Sequence, residues 1–323
     1  MNKKLISALL VTVVTFSALS GCGKKEVEDN QDHSKENVKN TTVTFDNYGR
    51  KVTVSGVPEK VLTLGPNCTE LFCALGLDQY VIGDSLNNHS RGALPEYKEA
   101  YDQIPELNHS SATRESVETS GADFIYGIDW EFGDEGLDID ELDKFGITTY
   151  MNSASTLDEM YQEIEDIGKI FHVEQKAEDY IKDQKERIAA VRDKHKGQEP
   201  IKVLVYDSGN DGVFTCGGDN FETLLIELAG GKNIFDDQTK KQWITVSYEE
   251  AIAREPDVIL IHDYDSPSVE EKIDEIKNND VLSQLECVKK ERFATIELES
   301  VLPGDRMAYT VEKIAGDFQK LID

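Results

Sequence analysis

The stretch Pro58–Leu77, PEKVLTLGPNCTELFCALGL, places a short apolar strand directly before an apolar helix. Its core, Val61–Leu64, is nearly all apolar, as is typical of a strand buried on both faces of a sheet. The sequence Gly65-Pro66-Asn67 interrupts this run, and a helical pattern follows from Thr69 to Leu75. The strand–loop–helix unit predicts a parallel sheet that is covered by helices.

The same pattern continues through the first half of the chain. An alternating stretch, Val43–Phe45 and Lys51–Val54, predicts a two-stranded hairpin ahead of the first parallel strand. Three further apolar runs are predicted as strands, at Val81–Gly83, Ala122–Gly127 and Ile147–Tyr150. These elements define a first α/β lobe over residues 43–156.

Two helices separate this lobe from a second one. Apolar residues recur at helical spacing over 157–171 and again from Gln175 to Lys196, so we assign residues 157–197 as linker helices. The second helix is about 33 Å long at 1.5 Å per residue. After Gly197 the strand and helix pattern restarts, and residues 198–323 form the second lobe. The predicted fold class is α/β, with two Rossmann-like lobes, parallel sheets, one long joining helix and a cleft between the lobes.

The N-terminus has the features of a lipoprotein signal. Lys3 and Lys4 precede an apolar run of 15 residues from Leu5 to Leu19, which is shorter than the roughly 20 that a membrane span needs. The ending Leu-Ser-Gly-Cys resembles the bacterial lipobox, in which the cysteine is acylated and becomes the first mature residue. We therefore expect removal of residues 1–21 as a signal peptide and lipidation of Cys22. An ordinary secretory signal with an incidental Cys22 is the alternative.

Residues 22–42 contain almost no large apolar side chains and are predicted to form a disordered tether. Two or more acyl chains anchor a protein stably, so we expect it to lie on the extracytoplasmic face of the cell membrane.

Composition excludes some classes of partner and site. The formal net charge of −29 disfavours nucleic acid, because binding phosphates needs clustered Lys and Arg. The chain has no C-x-x-C pair that would indicate a zinc knuckle or a redox site. We expect the cysteines other than Cys22 to be buried thiols, although an extracytoplasmic location permits disulfides that the sequence cannot pair. These cysteines are Cys68, Cys73, Cys216 and Cys287.

Five stretches together resemble the substrate-binding lipoproteins of ABC importers that take up iron–siderophores, haem and cobalamin. In chain order they are PEKVLTLGPNCTELFCALGL, GADFIYG, GGKNIF, VSYEEAIAREPDVIL and PGDRMAYTVEKIA. The resemblance extends from about residue 43 to residue 323 and implies that one long helix joins the lobes. It also implies a ligand in the cleft and a membrane permease with its ATPase as the partner. We expect the receptor to be a monomer.

Open α/β sheets bind ligands beyond the carboxyl ends of their strands, so the loops at those ends are expected to line the cleft. Trp130 and Trp243 are the only tryptophans and fall in predicted rim loops, one in each lobe. They are suited to hold a bulky chelate, or alternatively each fills the core of its own lobe. The resemblance places a cleft-facing cation at Arg306, with a surface salt bridge to Asp305 or Glu299 as the alternative. The candidate ligand-binding residues are Asn67, Thr69, Arg91, Trp130, Phe214, Trp243, Tyr264 and Arg306.

Glu115 and Glu249 form a second candidate site. Each opens a predicted helix, eight residues before Asp123 and eight before Asp257, respectively. The resemblance implies that these glutamates, one in each lobe, meet arginines on the permease. The alternative is that each carboxylate only offsets the dipole of its helix.

Two other classes of function compete with this interpretation. An enzyme would need a nucleophile, for which the one candidate is a Cys68–His262 dyad, since no hydrolase, zinc-protease, P-loop or dinucleotide motif occurs. A receptor for a bare metal ion would have to use the scattered residues His89, His109 and His262.

We predict a receptor with no catalytic residue, no resident metal and no cofactor, whose ligand is an Fe(III) chelate of the siderophore type. A corrinoid such as cobalamin, or haem, is the alternative ligand for the same mechanism. Few basic residues occur in the cleft loops, which favours a hydroxamate chelate or cobalamin over an anionic catecholate.

Overall fold

The computed structural model describes residues 41–133, 136–209 and 211–322. The predicted signal peptide, the lipidated Cys22 and residues 22–40 of the predicted tether therefore lie outside the described residues. Within the described ranges, no helix is both long and apolar enough to cross a membrane.

The N-terminal lobe consists of a hairpin and a five-stranded parallel sheet. Its strands are β1 (Thr42–Asn47), β2 (Arg50–Ser55), β3 (Val61–Leu64), β4 (Val81–Ser85), β5 (Glu106–Asn108), β6 (Phe124–Ile128) and β7 (Thr148–Asn152). Its connecting helices are α1 (Pro66–Ala74), α2 (Lys98–Tyr101), α3 (Arg114–Ser120) and α4 (Ile139–Lys144). The parallel strands lie in the order β5-β4-β3-β6-β7, so the connections change direction between β3 and β6.

The hairpin of β1 and β2 closes on Tyr48 and Gly49, whose φ angles of 53° and 81° are those of a tight primed turn. The side chain of Asn47 fixes the hairpin against β7, because it donates to the carbonyl of Met151 and accepts from its N–H, both at 2.8 Å.

Helix α1 begins at Pro66, three residues earlier than predicted. Proline suits the first helical position because it lacks only an N–H that would have no partner inside the helix. Gly65 precedes it with a φ of 130°, a conformation open to glycine. The early start places Asn67 and Thr69 inside the helix and buries both side chains.

Helix α5 (Leu157–Phe171) and helix α6 (Glu174–His195) follow the first lobe. Helix α5 packs on the N-terminal sheet, where Glu163 accepts from the hydroxyl of Tyr126 at 2.7 Å and Asp166 accepts from that of Tyr150 at 3.0 Å. Helix α6 reaches the second lobe, because the buried Gln184 accepts from the N–H of Ala308 at 2.9 Å. The helix that joins the two lobes is therefore α6.

The C-terminal lobe repeats the α/β arrangement. Its strands are β8 (Ile201–Tyr206), β9 (Ser208–Gly209), β10 (Val213–Cys216), β11 (Gly231–Asn233), β12 (Trp243–Val246), β13 (Val258–Asp263) and β14 (Phe293–Glu297). Its helices are α7 (Phe221–Leu228), α8 (Tyr248–Ala253), α9 (Val269–Asn278), α10 (Glu286–Lys289), α11 (Leu298–Val301) and α12 (Met307–Ile322). The parallel strands lie in the order β11-β8-β13-β14, which confirms the predicted class of two parallel-sheet lobes.

The two lobes begin in the same way. The N–H of Lys60, before β3, donates to the carboxylate of Asp123 at 3.0 Å, and the N–H of Lys202 donates to that of Asp257 at the same distance. Each aspartate thus ties the start of its own strand to the neighbouring parallel strand.

Phe214 was predicted to lie in the loop 207–215 that follows the strand Lys202–Tyr206, and Trp243 in a rim loop, and both predictions were wrong. Both belong to a small antiparallel sheet of order β12-β10-β9, in which Trp243 lies opposite Cys216. Aromatic and β-branched residues suit such strands, but each strand has only four residues or fewer. A strand this short forms because it pairs with residues that are distant in the sequence. Its own few residues therefore show no clear alternation of apolar and polar side chains.

Candidate ligand-binding site

The carboxyl ends of both parallel sheets face a single cavity between the lobes. Leu86 follows β4 and Trp130 follows β6 in the first lobe, while Asp207 follows β8 and Tyr264 follows β13 in the second. The cavity encloses about 790 Å³ including its open mouth, a size suited to a small-molecule ligand. It is lined by Leu86, His89, Ser111, Trp130, Asp207, Phe214, Trp243, Tyr264 and Leu298.

A narrower crevice of about 310 Å³ continues between Trp130 and Trp243. Its walls include Asp129 and Asn152 from the first lobe and Gln242 from the second. The two tryptophans thus border both spaces, one from each lobe.

Aromatic rings form much of the cavity surface. His89 stacks on Tyr264 with 6.1 Å between ring centroids, which brings the two lobes into contact. Phe214 stacks on Trp243 at 5.6 Å. Trp130 remains 38% exposed and Phe214 36% exposed, so both offer free ring surface to a ligand.

A buried network of charged groups supports the second-lobe wall. The two ring nitrogens of His262 lie 3.0 Å from carboxylate oxygens of Asp207 and Glu222. Burial alone would lower the pKa of His262, but the charge of Glu222 and the hydrogen bonds to both carboxylates raise this pKa to about 9. His262 is therefore an imidazolium at neutral pH.

Tyr264 is held in place by the same network. Its hydroxyl donates to Oδ2 of Asp207 at 3.1 Å. The ammonium of the buried Lys272 lies 3.5 Å from the centroid of its ring and donates to the carbonyl of His262 at 2.7 Å. These contacts fix the ring before any ligand arrives.

Exposed polar contacts join the lobes along one flank of the cavity. Nε of Arg91 lies 2.7 Å from Oδ1 of Asp263, and Nε2 of His109 lies 3.0 Å from Oδ2 of Asp265. The N–H of Arg91 also donates to Glu299 at 2.7 Å. The guanidinium of Arg91 is thus engaged outside the cavity lining.

A buried contact joins the lobes behind the cavity. Arg306 donates through Nε to Glu70 at 3.0 Å and through Nη2 to the carbonyl of Gly92 at 2.7 Å. Nη1 of Arg306 lies 3.4 Å from Glu299, so the pairing with Glu299 is present but is buried. Asn67 bridges the lobes nearby by donating to the carbonyl of Pro303 at 2.7 Å.

The structure brings four of the eight predicted ligand-binding residues together in the cavity lining and places the other four elsewhere. Those in the lining are Trp130, Phe214, Trp243 and Tyr264. Those outside it are Asn67, Thr69, Arg91 and Arg306.

Sequence reasoning missed several lining residues. Leu86, Ser111 and Leu298 carry no chemical signature that sets them apart from ordinary loop or core positions. Asp207 and His89 were not missed in the same way: the loop 207–215 after a predicted strand was expected to line the cleft, and the family resemblance implied that residues 88–91 lie near it, but neither residue was singled out as a ligand-binding residue.

Glu115 and Glu249 occupy equivalent places in the two lobes. Each is exposed and lies two residues after the N-cap of its helix, Thr113 for α3 and Ser247 for α8. Within the described ranges, neither side chain has a hydrogen-bond or ion-pair partner. Both carboxylates are therefore available to a partner.

The Cys68–His262 dyad has no geometric support. Both ring nitrogens of His262 face carboxylates, and burial raises the pKa of the Cys68 thiol well above its usual value. Among the described residues, no group of three or more His, Cys, Asp or Glu side chains is arranged to hold a metal ion.

Comparison with known proteins identifies the family. Residues 123–298 match the family described as "Periplasmic binding protein". The uncharacterized ABC transporter substrate-binding lipoprotein YvrC of Bacillus subtilis is 26% identical over 315 residues, which cover 96% of this chain and 94% of that protein. A vitamin B12-binding protein of Vibrio vulnificus is 25% identical over 269 residues, which cover 81% of this chain and 91% of that protein.

A solved structure has the same architecture. A periplasmic binding protein from Veillonella parvula aligns with a TM-score of 0.76 and 26% identity, and the alignment covers 86% of this chain and 98% of that one. The two-lobed arrangement and the match over more than half of the sequence agree, and the chain belongs to the periplasmic binding protein family.

Proposed function

We propose that the protein is the substrate-binding lipoprotein of an ABC importer, which captures a bulky metal chelate and delivers it to a membrane permease with its ATPase. The chelate is an iron–siderophore-type complex. The observation that carries this proposal is the cavity between the lobes, to which each lobe contributes a tryptophan. YvrC, with similarity along almost its entire length, supports the assignment to ABC transport.

The lining supports a large ligand with extensive apolar surface. Trp130, Phe214, Trp243 and Tyr264 present rigid rings, which bind flat or rounded chelates at a low cost in conformational entropy. Because the carboxyl ends of both sheets meet at this cavity, one ligand contacts both lobes and stabilises their closed arrangement.

We further propose that Cys22 carries the lipid anchor and that the receptor acts as a monomer on the extracytoplasmic face. Glu115 and Glu249 would then present one unpaired carboxylate from each lobe to arginines of the permease. Their exposure and their equivalent helix positions support this role.

A corrinoid is the second candidate ligand, because a vitamin B12-binding protein is among the relatives with similarity over most of their length. Corrinoids and iron chelates share the property that the cavity selects for, a metal enclosed by a large organic ligand.

Native mass spectrometry of the full-length protein in detergent tests the proposal. The probes are a ferric trihydroxamate, a ferric tris-catecholate, haem, cyanocobalamin and free Zn²⁺ or Mn²⁺. We expect a one-to-one complex with a chelate, accompanied by quenching of Trp130 and Trp243 fluorescence. Binding of the free metal ion alone would overturn the assignment to chelate transport.

A further inference from the structure

The charged groups around the cavity are distributed unevenly. Within the described residues, the linings of the cavity and of the crevice contain no Lys or Arg, but they contain the carboxylates of Asp207 and Asp129. A third carboxylate, the buried Glu131, lies behind the lining and accepts from the N–H of Ala112 at 2.8 Å.

The nearby cations are directed away from the cavity or are already paired. Arg91 faces Asp263 at 2.7 Å on the outer flank. Lys272 lies behind the ring of Tyr264 and donates to a backbone carbonyl. Arg306 is buried against Glu70. A negatively charged ligand would therefore find no free cation on the described walls.

Asp207 remains ionised despite its burial. Burial alone would raise its pKa, but the hydrogen bond from His262 and the charges of His262 and Lys272 hold the pKa below its usual value. His89 faces the same cavity, and burial lowers its pKa, which keeps the imidazole neutral at pH 7. The groups that face the cavity are thus neutral or negative.

We infer that the cavity selects chelates that are neutral or positively charged overall, because its described lining offers no free cation. Asp129, which accepts a hydrogen bond from Ser153 and has no ion pair among the described residues, contributes more to this preference than Asp207, whose charge is balanced by the imidazolium of His262. The inference rests on the proposed function and narrows its substrate class. A ferric tris-catecholate and haem with its two ionised propionates are disfavoured, whereas ferric hydroxamates and corrinoids are accepted. At an effective dielectric constant of about 20, one unit of ligand charge a few ångströms from a carboxylate changes affinity by about tenfold or more.

A charge series on a constant core tests the inference. The first core is a linear ferric trihydroxamate, which is used in three forms. The form with a terminal ammonium has a charge of about +1, the N-acetyl derivative has a charge of about 0, and the N-succinyl derivative has a charge of about −1. The second core is a corrinoid in cationic, neutral and monocarboxylate forms. Affinities are measured by tryptophan quenching of the full-length protein in non-ionic detergent, at low salt and in 0.5 M NaCl.

We expect the cationic and neutral forms of the bound core to bind about tenfold or more tighter than the anionic form, with a smaller difference at high salt. Asp129→Asn should reduce this discrimination and is the main test, because Asp129 has no ion pair among the described residues. Asp207→Asn should have a smaller effect, because Asp207 is paired with His262. Asp193→Asn, at an exposed position of α6, is the control and should leave discrimination unchanged.

Equal binding of all charge forms, or a preference for the anion, would overturn the charge selection while leaving the proposed function intact. If both cores failed in every charge form while the tris-catecholate or haem bound, the charge selection would be overturned and the proposed function would stand. If no chelate of the mass-spectrometric panel bound either, the proposed function itself would be overturned.

Discussion

Nε of Arg306 in the C-terminal lobe donates to Oε2 of Glu70 in the N-terminal lobe at 3.0 Å, across 236 positions of sequence. Both residues are buried, with 4% and 1% of their surfaces exposed. Glu299 adds a second carboxylate 3.4 Å from the same guanidinium. The interface between the lobes therefore contains a buried positive charge that depends on its carboxylate partners. Removal of Glu70 leaves the guanidinium only the more distant Glu299, and removal of Arg306 leaves both buried carboxylates without their cation.

Glu70→Gln and Arg306→Met should each lower the free energy of unfolding by about 3–5 kcal/mol, as for other broken buried pairs. Urea denaturation followed by circular dichroism measures this loss. Arg187→Met is the control, because Arg187 pairs with Glu312 at the surface and its loss should cost less than about 1 kcal/mol. If Glu70→Gln and Arg306→Met were both as stable as wild type, the stabilising role of the buried pair between the lobes would be contradicted.

Trp130→Ala and Trp243→Ala should each weaken binding of the chelate by about 10-fold to 100-fold, because each removes a ring that lines the cavity. Isothermal titration with the chelate found by mass spectrometry measures the change. Phe145→Ala removes an aromatic ring that is 56% exposed and lies outside the cavity lining. This control should bind as tightly as wild type, and an equal loss in all three variants would argue against the cavity as the binding site.

The buried imidazolium of His262 predicts a pH dependence of stability. Its pKa of about 9 in the folded protein exceeds the ordinary value of 6.5, so its contribution is complete below pH 6.5 and is lost as pH rises through about 9. The difference in unfolding free energy between wild type and His262→Gln should therefore shrink by roughly 2–3 kcal/mol from pH 6 to pH 10. Lys272 is present in both proteins, so its own titration largely cancels in this difference.

Chemical denaturation at pH 6, 8 and 10 gives the values for this comparison. His195→Gln, at the end of α6 and outside the His262 network, is the matched control, and an equal change in this variant would show that the effect is not specific to His262. If the difference in unfolding free energy between wild type and His262→Gln grew with pH, the assignment of His262 as a buried imidazolium would be contradicted.

The double variant Glu115→Lys and Glu249→Lys should abolish transport and leave the affinity for the chelate within about twofold of wild type. Both carboxylates are exposed, without partners in the described part of the chain, and neither belongs to the cavity lining. Uptake of labelled chelate by cells measures transport, and tryptophan quenching measures affinity. Charge reversal at Glu178 and Asp193, exposed on α6, is the control and should preserve uptake. A loss of affinity in the double variant would contradict the docking role.

The sequence predicted the elements whose residues are apolar over a continuous run. Strand β3 and helix α5 were predicted with the bounds that the structure shows, since burial on both faces or on one face leaves a clear local pattern. Strands β10 and β12 were missed, because four residues each carry too little pattern and their pairing is set by distant residues.

Only part of the site was predicted, because some of its residues have a distinctive local sequence signal and the position of others depends on contacts with distant residues. Trp130 and Trp243 are rare, large residues near strand ends, and both line the cavity. Arg306 was expected in the cleft, with a surface salt bridge to Asp305 or Glu299 as the alternative. The pairing with Glu299 is present, but local sequence does not reveal that Glu70 would also pair with this arginine and that the guanidinium would be buried. Long-range charge pairing therefore decides which polar residues remain free for a ligand.

The four described cysteines are all free and buried, and burial raises the pKa of each thiol, to about 12 for Cys73 and about 11 for Cys287. Thiolates rather than thiols attack disulfides and electrophiles, so these side chains are inert while the protein stays folded. Oxidation of these four thiols therefore requires the folded chain to open first.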